Sequence, residues 1–340
     1  MGVPLKYYAV AENIHCTLIR KTGGKFVSQA EDGSASILYK EDGKEKGFPV
    51  PQKFIDADDW SNGKVKHMAA AMWQGFYGSG EAQEAGKEYI RYWARMQESY
   101  GSAYLDLNVD EFSTDLDERI ELIKWAGKIV QEASAIPLSV DSSNIDLLKA
   151  GLSICDPGKG KPMVNSVSLE RPEAIEVAAS AGAVVIAGAT GEDSMPQTVE
   201  ERVENCEKLM GMLMDAGLSK SDVFFDPLVF PVSVDKNNGL AVIDSVKELR
   251  NLYGDEIHFA PGLSNISYGL PNRKLINTVF THVCWQEGLD GGIVDPRHIN
   301  QKALENMNTA TEAYGLARDL VLGKDEFGMK YITASRNGKV

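Results

Sequence analysis

The fold is decided by the runs IPLSVD (136–141), PMVNS (162–166), AVVIAGA (183–189) and VFFDP (223–227). Each is a short, nearly continuous apolar stretch, as expected of a parallel strand that is buried on both faces. Segments with helical periodicity lie between them, for example TVEERVENCEKLMGMLMDAG (198–217). A strand, a helix and a second strand in this order predict right-handed βαβ units, which build parallel sheets.

The same alternation continues toward both ends of the chain. Two similar runs come earlier, YAVAEN (8–13) and AYLDLN (103–108), and two come later, IHFAPGLSN (257–265) and GGIVD (291–295). From the second run onward, strands start at intervals of roughly 20 to 40 residues, which is typical of βαβ repeats. Eight such strands predict an α/β fold. They favour a closed (β/α)8 TIM barrel over an open sheet.

One segment interrupts this regular pattern. Residues 17–62 follow the first strand and carry Gly-Gly and Asp-Gly turn signals between β-prone residues, so they predict a hairpin. The segment is too polar to bury a core alone, and we expect it to be an insertion on a single barrel domain that spans residues 1–340. At the other end, residues 302–340 predict a final helix and a loosely held tail.

The composition argues against several classes of function. With 49 acidic and 35 basic residues the chain has a formal net charge of −14 and no basic stripe, which argues against nucleic acid as a partner. No apolar stretch reaches the ~18 residues of a membrane-spanning helix, so we expect no membrane association. The 4 cysteines form no CxxC pair, which favours reduced thiols and a cytoplasmic protein.

Polar side chains stand where most of the apolar runs end. In a (β/α)8 barrel these strand ends carry the active site. They are Glu12, Asn13, Asp106, Asn108, Asp141, Asn144, Asn165, Asp226, Asn265 and Asp295. A set rich in carboxylates and amides and poor in cations offers little to a phosphate. It suits a neutral heterocycle with N–H donors and carbonyl acceptors.

Structural roles for these residues remain open at this level. Asp141, Ser142, Ser143 or Asn144 could cap the next helix, and Asp106 and Asn108 could tie loops together. Asp226 lies among large apolar residues, where a carboxylate is costly without a partner.

The histidines do not predict a metal site. His15, His258, His282 and His298 show no HxH or HExxH spacing. His15 lies near the end of the first strand, but the sequence places no Asp or second His to pair with it. We therefore expect no metal.

Five motifs, in this order, resemble the pterin-binding methyltransferase family. They are LDLNVD (105–110), SVDSSNIDLLKAGL (139–152), VNSVSLE (164–170), FFDPLVFPVSVD (224–235) and GLSNISYGLPNRKLIN (262–277). Within that family the chain is most similar to the methyltetrahydrofolate:corrinoid protein methyltransferases. The resemblance covers most of residues 100–300.

The resemblance implies roles for particular residues. Asp141, Asn165 and Asp226 match the positions that hold the pterin, and Asn265 matches the residue that hydrogen-bonds N5 of the folate, the nitrogen that carries the methyl group. Arg273 matches an arginine that borders the same pocket. Further candidates for substrate binding are Glu12, Asp106 and Asn108, because they lie at strand ends. Asp226 and Asn265 are the candidates for catalysis.

The resemblance also implies an activity and its partners. The enzyme would move a methyl group between N5 of tetrahydrofolate, or 5-methyltetrahydrofolate, and the cobalt of a cobalamin or other corrinoid carried by a partner protein. A homodimer and a place in a demethylation or one-carbon pathway are expected with it. The first strand departs from the family, because AENIH has Asn13 and His15 where relatives tend to have Arg and Asn.

Two other functions remain as alternatives. Dihydropteroate synthesis uses the same pterin pocket but needs an R-x-H motif on the last strand, whereas GIVDPRHIN has Arg297 and His298 adjacent. A non-catalytic folate-binding module would not need a group at N5, so the presence of Asn265 together with Asp226 favours catalysis.

Overall fold

The structure is a computed structural model that describes residues 6–340. The strands are β1 Tyr8–His15, β2 Ile19–Lys21, β3 Val27–Gln29, β4 Ala35–Glu41, β5 Lys44–Pro49, β6 Lys64–Lys66, β7 Tyr104–Asn108, β8 Leu138–Asp141, β9 Met163–Val167, β10 Val184–Gly188, β11 Val223–Asp226, β12 His258–Phe259 and β13 Gly291–Val294. One sheet contains eight of them, in the order β12-β11-β10-β9-β8-β7-β1-β13. Its strands are parallel and alternate with helices, which confirms the predicted (β/α)8 barrel class.

From β7 onward, helices alternate with the strands of this sheet, as the sequence predicts. The helices are α1 Gln52–Ile55, α2 Asp58–Ser61, α3 His67–Tyr77, α4 Gly80–Ser99, α5 Leu116–Ala133, α6 Ile145–Leu152, α7 Glu173–Ser180, α8 Val199–Asp215, α9 Asn238–Tyr253, α10 Arg273–Gln286, α11 Gln301–Glu305, α12 Glu312–Val321 and α13 Met329–Arg336. Gly217 and Gly288 follow α8 and α10 at φ +90° and +108°. Glycine adopts these left-handed values without a steric penalty, so both residues suit the ends of their helices.

The chain divides into two compact units, and each is described by itself. The first unit contains residues 6–11, 100–104 and 163–340, and the second contains residues 12–99 and 105–162.

The first unit has its core between strands. Val10, Met163, Ile186 and Phe224 belong to one buried cluster, each at most 3% exposed. Beyond the short strand β12 the chain stays beside β13, since the Ile293 N–H donates to the Pro261 carbonyl at 2.9 Å. This bond continues the sheet past the last residue of β12.

A buried ion network fixes the start of β12 and β13. Asp290 accepts from the Phe259 N–H at 2.9 Å and lies 2.7 Å from His258 Nδ1 and 3.1 Å from Arg250 Nη2. His258 therefore has a structural role at the opposite end of these strands from the candidate site residues.

The second unit contains the insertion. Strands β3, β4 and β5 form an antiparallel sheet, and β2 pairs with β6. The hairpin between β4 and β5 turns at Asp42 and Gly43, whose φ values of +50° and +76° are those of a tight hairpin turn. The sheet packs on α4, where Tyr39 and Phe48 lie 5.1 and 5.0 Å from Tyr89. The segment is thus anchored to a helix outside residues 17–62.

The C-terminal segment differs from the expectation. The predicted final helix is divided into α11 and α12, because the polar stretch NMNTAT (306–311) ends the first and Thr311 caps the second by accepting from the Tyr314 N–H. The predicted loose tail forms α13 instead. Asp325 accepts from the Lys330 and Tyr331 N–H groups, and Tyr331 is fully buried.

In residues 6–340 no helix is both long and apolar enough to cross a membrane.

Candidate functional site

Asp141 and Asn108 form one polar cluster in the second unit. They end the paired strands β8 and β7, where they occupy the same register position. Asn108 Nδ2 donates to Asp141 Oδ2 at 3.0 Å, and Asn108 Oδ1 accepts from the Asp110 N–H at 3.0 Å. A backbone N–H can only donate, so this bond fixes which end of the amide faces Asp141. Asp141 Oδ1 has no partner among the described residues and remains available to a ligand.

His15 joins this cluster, contrary to the sequence analysis. Its Nε2 lies 3.6 Å from Asp141 Oδ2, and its Nδ1 lies 2.8 Å from Thr17 Oγ1. The expectation that no Asp pairs with His15 is therefore wrong, because β1 and β8 are far apart in sequence but converge at their ends. His15 follows Asn13 by two residues, so the two side chains lie on the same face of β1. This spacing is the sequence signal that could have identified His15 as a site residue.

The environment of His15 favours its protonated form. Burial alone would lower the pKa of His15, but its hydrogen bonds to Asp141 and Cys16 and the negative charge of Asp141 raise it to about 10. The Nε2 side of the ring faces Asp141, and Nδ1 accepts from the Thr17 N–H at 3.2 Å. Neither residue alone predicts this pairing of His15 with Asp141.

Asn144, and not Asp141 or a serine, caps helix α6. Its Oδ1 accepts from the Asp146 and Leu147 N–H groups at 2.9 and 3.1 Å. Ser142 and Ser143 instead donate to Asp110, at 2.6 Å from the Ser142 hydroxyl and 2.9 Å from the Ser143 N–H. Asp141 is thereby left free of a capping role.

The remaining candidates of the second unit lie on β1 and β7. Asp106 is 2% exposed and faces Ser139 of β8 in register. Asn13 is buried, and its N–H donates to Gln97 Oε1 at 2.9 Å. Glu12 is half-buried. Asp106 is therefore farther from the strand ends than Asn108 and Asp141.

Asp226 is the centre of the polar cluster in the first unit. Strand β11 ends at this residue, and Pro227 and Leu228 follow it in a turn. Leu228 has φ +63°, a left-handed conformation that costs a non-glycine residue about 1 kcal/mol or more. The turn points the Leu228 N–H at Asp226 Oδ1, 2.8 Å away. A strained turn is thus maintained where it supplies a donor to the carboxylate.

The pKa of Asp226 is raised to about 6. The main cause is burial, which the N–H groups of Leu228 and Gly262 and the charge of Arg202 oppose. The carboxylate is therefore the main form at neutral pH, but protonation lies within easy reach. Its bond to Gly262 links β11 to the GLSN loop that carries Asn265.

Asn265 and Arg273 belong to that loop and the helix after it. The Asn265 side chain is exposed and its amide has no hydrogen-bond partner among residues 6–340. Arg273 braces the loop, since its Nε donates to Ser267 Oγ at 3.0 Å and its Nη2 donates to the Ser264 carbonyl at 2.8 Å. Asn265 is thus a free amide on a braced turn.

Asn165 lies on β9, in register with Ile186 of β10. The register shifts immediately after this pair, so Ser166 is a bulge, and the Asn165–Ser166 peptide bond is cis. Bulges at strand ends redirect side chains. Arg171 Nη2 donates to the Ser166 carbonyl at 2.9 Å and holds the bulge in place.

The last strand ends in an ion pair. Both carboxylate oxygens of Asp295 accept from Arg297, with Nε at 2.9 and 3.1 Å and Nη2 at 2.5 Å. Burial raises the pKa of Asp295, but this pairing outweighs it and the net pKa is lowered. Arg297 is accordingly committed to a neighbour within its own loop.

Arg202 is a buried charge that the sequence analysis missed. It lies on α8 with Cys206 and Leu209, at the i, i+4 and i+7 positions of the buried face. A charged residue within an apolar helical stripe was the available signal. Among residues 6–340 no group of three or more His, Cys, Asp or Glu side chains could hold a metal ion.

Comparison with known proteins identifies the family. Residues 79–295 match the family of pterin binding enzymes. The methylcorrinoid:tetrahydrofolate methyltransferase of Eubacterium limosum is 31% identical over 265 residues, which are 76% of this chain and 91% of that protein. The methionine synthase of Mycobacterium leprae (strain TN) is 33% identical over 216 residues, which are 59% of this chain but 17% of that protein. The chain belongs to the pterin-binding enzyme family, as its motifs predicted.

Solved structures agree in fold. Dihydropteroate synthase from Xanthomonas albilineans in complex with 7,8-dihydropteroate has a TM-score of 0.52 at 18% identity, over 67% of this chain and 85% of that one. Dihydropteroate synthase from Stenotrophomonas maltophilia has a TM-score of 0.51 at 17% identity, over 65% and 86%. At such low identity these likenesses establish the barrel and not the reaction.

Proposed function

We propose that this enzyme transfers a methyl group between N5 of tetrahydrofolate and the cobalt of a corrinoid protein. The observation that carries the proposal is the match to the Eubacterium limosum methyltransferase, which extends over 91% of that protein. The name of that relative joins the same two methyl carriers. The match to a methionine synthase in the same region of the chain supports the same class of reaction.

The pterin would be bound by Asp141, Asn165 and Asp226. A reduced pterin presents an amino group and a ring N–H as donors, and a carboxylate accepts from such donors, whereas an amide meets mixed edges. Asp141 suits this role because Oδ1 is unoccupied while Asn108 holds Oδ2. Asn108 thus acts by positioning Asp141, and Glu12 and Asp106 remain further candidates for substrate binding.

The reacting end of the folate would meet Asn265. Methyl transfer is an in-line displacement in which the corrinoid supplies the cobalt centre that gains or loses the methyl group. Charge on N5 changes during transfer, and a free amide can reorient to stabilise it. The unpartnered Asn265 amide on a loop braced by Arg273 supports this role, and the same geometry serves transfer in either direction.

Dihydropteroate synthesis is the less favoured alternative. That reaction releases pyrophosphate, which needs free cations, and Arg297 already forms a two-oxygen pair with Asp295. The structural likeness to dihydropteroate synthases is at 18% identity or less. A non-catalytic folate-binding module would bind folate without transferring a methyl group. An assay of turnover therefore distinguishes it from an enzyme.

A spectroscopic assay tests the proposal. Purified protein is mixed with tetrahydrofolate and methylcobalamin, and the cobalamin spectrum is followed without oxygen. We expect conversion of methylcobalamin to cob(I)alamin together with formation of 5-methyltetrahydrofolate. Asp193→Asn, on an exposed loop, serves as a control that should retain the rate. Tight folate binding without any transfer, to free cobalamin or to candidate corrinoid proteins, would contradict the proposal.

The partner and pathway are part of the same proposal. We infer a separate corrinoid protein as the physiological partner and a role in demethylation of methylated amines or methyl ethers. The insertion at residues 17–62 supports a partner other than the corrinoid/iron–sulfur protein of related enzymes. Assay of transfer rates across a panel of corrinoid proteins tests this, and a preference for a corrinoid/iron–sulfur protein would overturn it.

A further inference from the structure

Asp110 connects the ends of strands β7 and β8. It lies two residues beyond Asn108, in the loop that follows β7. Its Oδ1 accepts from the Ser142 hydroxyl at 2.6 Å, and its Oδ2 accepts from the Ser143 N–H at 2.9 Å and the Ser143 hydroxyl at 3.2 Å. The two serines directly follow Asp141, the last residue of β8. The Asp110 carboxylate therefore fixes the chain immediately after Asp141.

A second connection from Asp110 to Asp141 runs through the backbone. The Asp110 N–H donates to Asn108 Oδ1 at 3.0 Å, and Asn108 Nδ2 donates in turn to Asp141 Oδ2 at 3.0 Å. The Asp110 carbonyl accepts from Arg119 Nη1 of α5 at 3.2 Å, which holds this backbone in place. An amide that is bound at its oxygen can direct its NH2 group only to the opposite side. Asp110 thus also orients the donor that holds Asp141 Oδ2.

Helix capping does not explain the bonds of the Asp110 carboxylate. Helix α6 begins after Asn144, whose own side chain accepts from the first free N–H groups of that helix. Ser142 is 1% exposed, and it gives its one hydroxyl proton to Asp110. Both carboxylate oxygens of Asp110 accept from the loop after β8, so this carboxylate is bound to the protein and is not presented to a ligand.

We propose that Asp110 is a positioning residue that holds Asp141 in the orientation in which Oδ1 meets the N–H groups of the pterin. This inference rests on the proposed function and adds to it a residue that sets substrate affinity without touching the substrate. Asn108 occupies Oδ2, so rotation of the Asp141 carboxylate would turn its unoccupied oxygen away from the ligand. An acceptor that is already oriented raises affinity, because less order has to be imposed on binding.

The experiment compares the wild type with Asp110→Ala and Asp110→Asn. Alanine removes all three bonds that the carboxylate accepts, whereas asparagine keeps one oxygen acceptor. Calorimetry measures the affinity for 5-methyltetrahydrofolate, and single-turnover kinetics measure methyl transfer to cob(I)alamin. We expect affinity to fall about tenfold in Asp110→Ala, the size of one hydrogen bond to a charged group, and less in Asp110→Asn. The transfer rate at saturating folate should stay within about twofold of wild type, because Asn265 is unchanged.

The matched control is Asp115→Ala, in the same loop. Asp115 Oδ1 accepts from the Glu118 N–H at 3.1 Å and caps α5, so this variant also loses a carboxylate that holds backbone. It should unfold more easily, as expected for a lost helix cap, but keep the wild-type affinity. An equal loss of affinity in Asp115→Ala and Asp110→Ala would refute the inference, because general destabilisation would then explain both.

A second background tests whether Asp110 acts through Asp141. In Asp141→Asn, the change Asp110→Ala should lower affinity by less than about twofold, because the carboxylate that it positions is already gone. A tenfold loss in this background, or wild-type affinity in Asp110→Ala alone, would overturn the inference. If Asp110→Ala does not fold, Ser142→Ala removes the shortest of the three bonds from the partner side. Wild-type affinity in Ser142→Ala would then contradict the proposal.

A measurement without ligand separates this inference from the proposed function. Hydrogen exchange of the Asn108 side-chain amide, followed by NMR, should be faster in Asp110→Ala than in the wild type and unchanged in Asp115→Ala. Equal exchange rates in Asp110→Ala and the wild type would refute the positioning role. Absence of folate binding by the wild type would contradict the proposed function alone, because the exchange measurement needs no folate.

Discussion

Two carboxylates of similar sequence context have different surroundings in this enzyme. Asp141 is held by side chains, Asn108 at 3.0 Å and His15 at 3.6 Å. Asp226 is held by the backbone N–H groups of Leu228 and Gly262. Both residues end apolar runs followed by small or turn-forming residues, so the sequence does not distinguish them.

Asn265→Ala should separate binding from transfer. The variant loses the amide proposed to respond to charge at N5, so we expect a loss of about 10²- to 10³-fold in transfer rate, as for other single donors in preorganised sites. Folate affinity should stay within about threefold of the wild-type value, because the proposed contacts of Asp141, Asn165 and Asp226 with the pterin remain. Single-turnover kinetics and calorimetry measure the two quantities. Equal losses in both, or no loss in either, would count against the assigned role.

His15→Gln should reduce stability in a pH-dependent way. The pKa of His15 in the fold is about 10, above its ordinary 6.5, so its contribution is complete below about pH 6.5 and disappears as pH rises through about 10. We expect a cost of about 1 kcal/mol at pH 6, as for a partly exposed ion pair, and little difference from wild type above pH 10.5. Urea unfolding at both pH values measures this. A cost that is constant with pH would show that the pair contributes no charge interaction.

At the scale of elements, the seam between β12 and β13, where Gly291 lies beside Phe259, requires a residue without a side chain. A Cβ at Gly291 would lie 2.4 Å from the Phe259 carbonyl oxygen and 2.7 Å from that of Tyr8. Backbone on both sides cannot move without breaking the ladder, which explains why glycine stands here. By contrast, a Cβ at Gly211 on the exposed face of α8 meets nothing within 4 Å.

This contrast gives a matched pair of variants. Gly291→Ala should destabilise the protein by about 3 kcal/mol or prevent folding, because the new methyl group overlaps fixed backbone. Gly211→Ala should stabilise it by about 0.5 to 1 kcal/mol, since alanine is the better helix former. Thermal unfolding measures both. Similar melting temperatures for the two variants would mean that the seam adapts more easily than its geometry implies.

At the scale of the whole molecule, the assembly state is the main expectation. The resemblance to related methyltransferases leads us to expect a homodimer, with twice the 37.1 kDa of one chain. Size-exclusion chromatography with light scattering measures the mass directly. A monomer at micromolar concentration would refute this expectation without affecting the proposed chemistry.

Some elements of this fold can be predicted from the sequence and others cannot. Strands β7 to β11 and their helices follow from apolar runs and periodicity, because burial on both faces of a parallel sheet leaves a local signature. The short β12 was overestimated as 257–265, since residues after Phe259 adopt turns that an apolar run does not reveal. The C-terminal α13 was missed because its stability comes from Asp325 and the buried Tyr331, and not from helix propensity.

The sequence by itself determined the barrel class, the family and the residues that end each strand, because these depend on local pattern and motif order. Only the tertiary structure decided the partners of those residues. His15 meets Asp141, and Arg202 lies over the Phe230 ring, across 126 and 28 positions of sequence counted from their residue numbers. Electrostatic interactions depend on distance in space, and a linear pattern holds no information about that distance until the chain is folded.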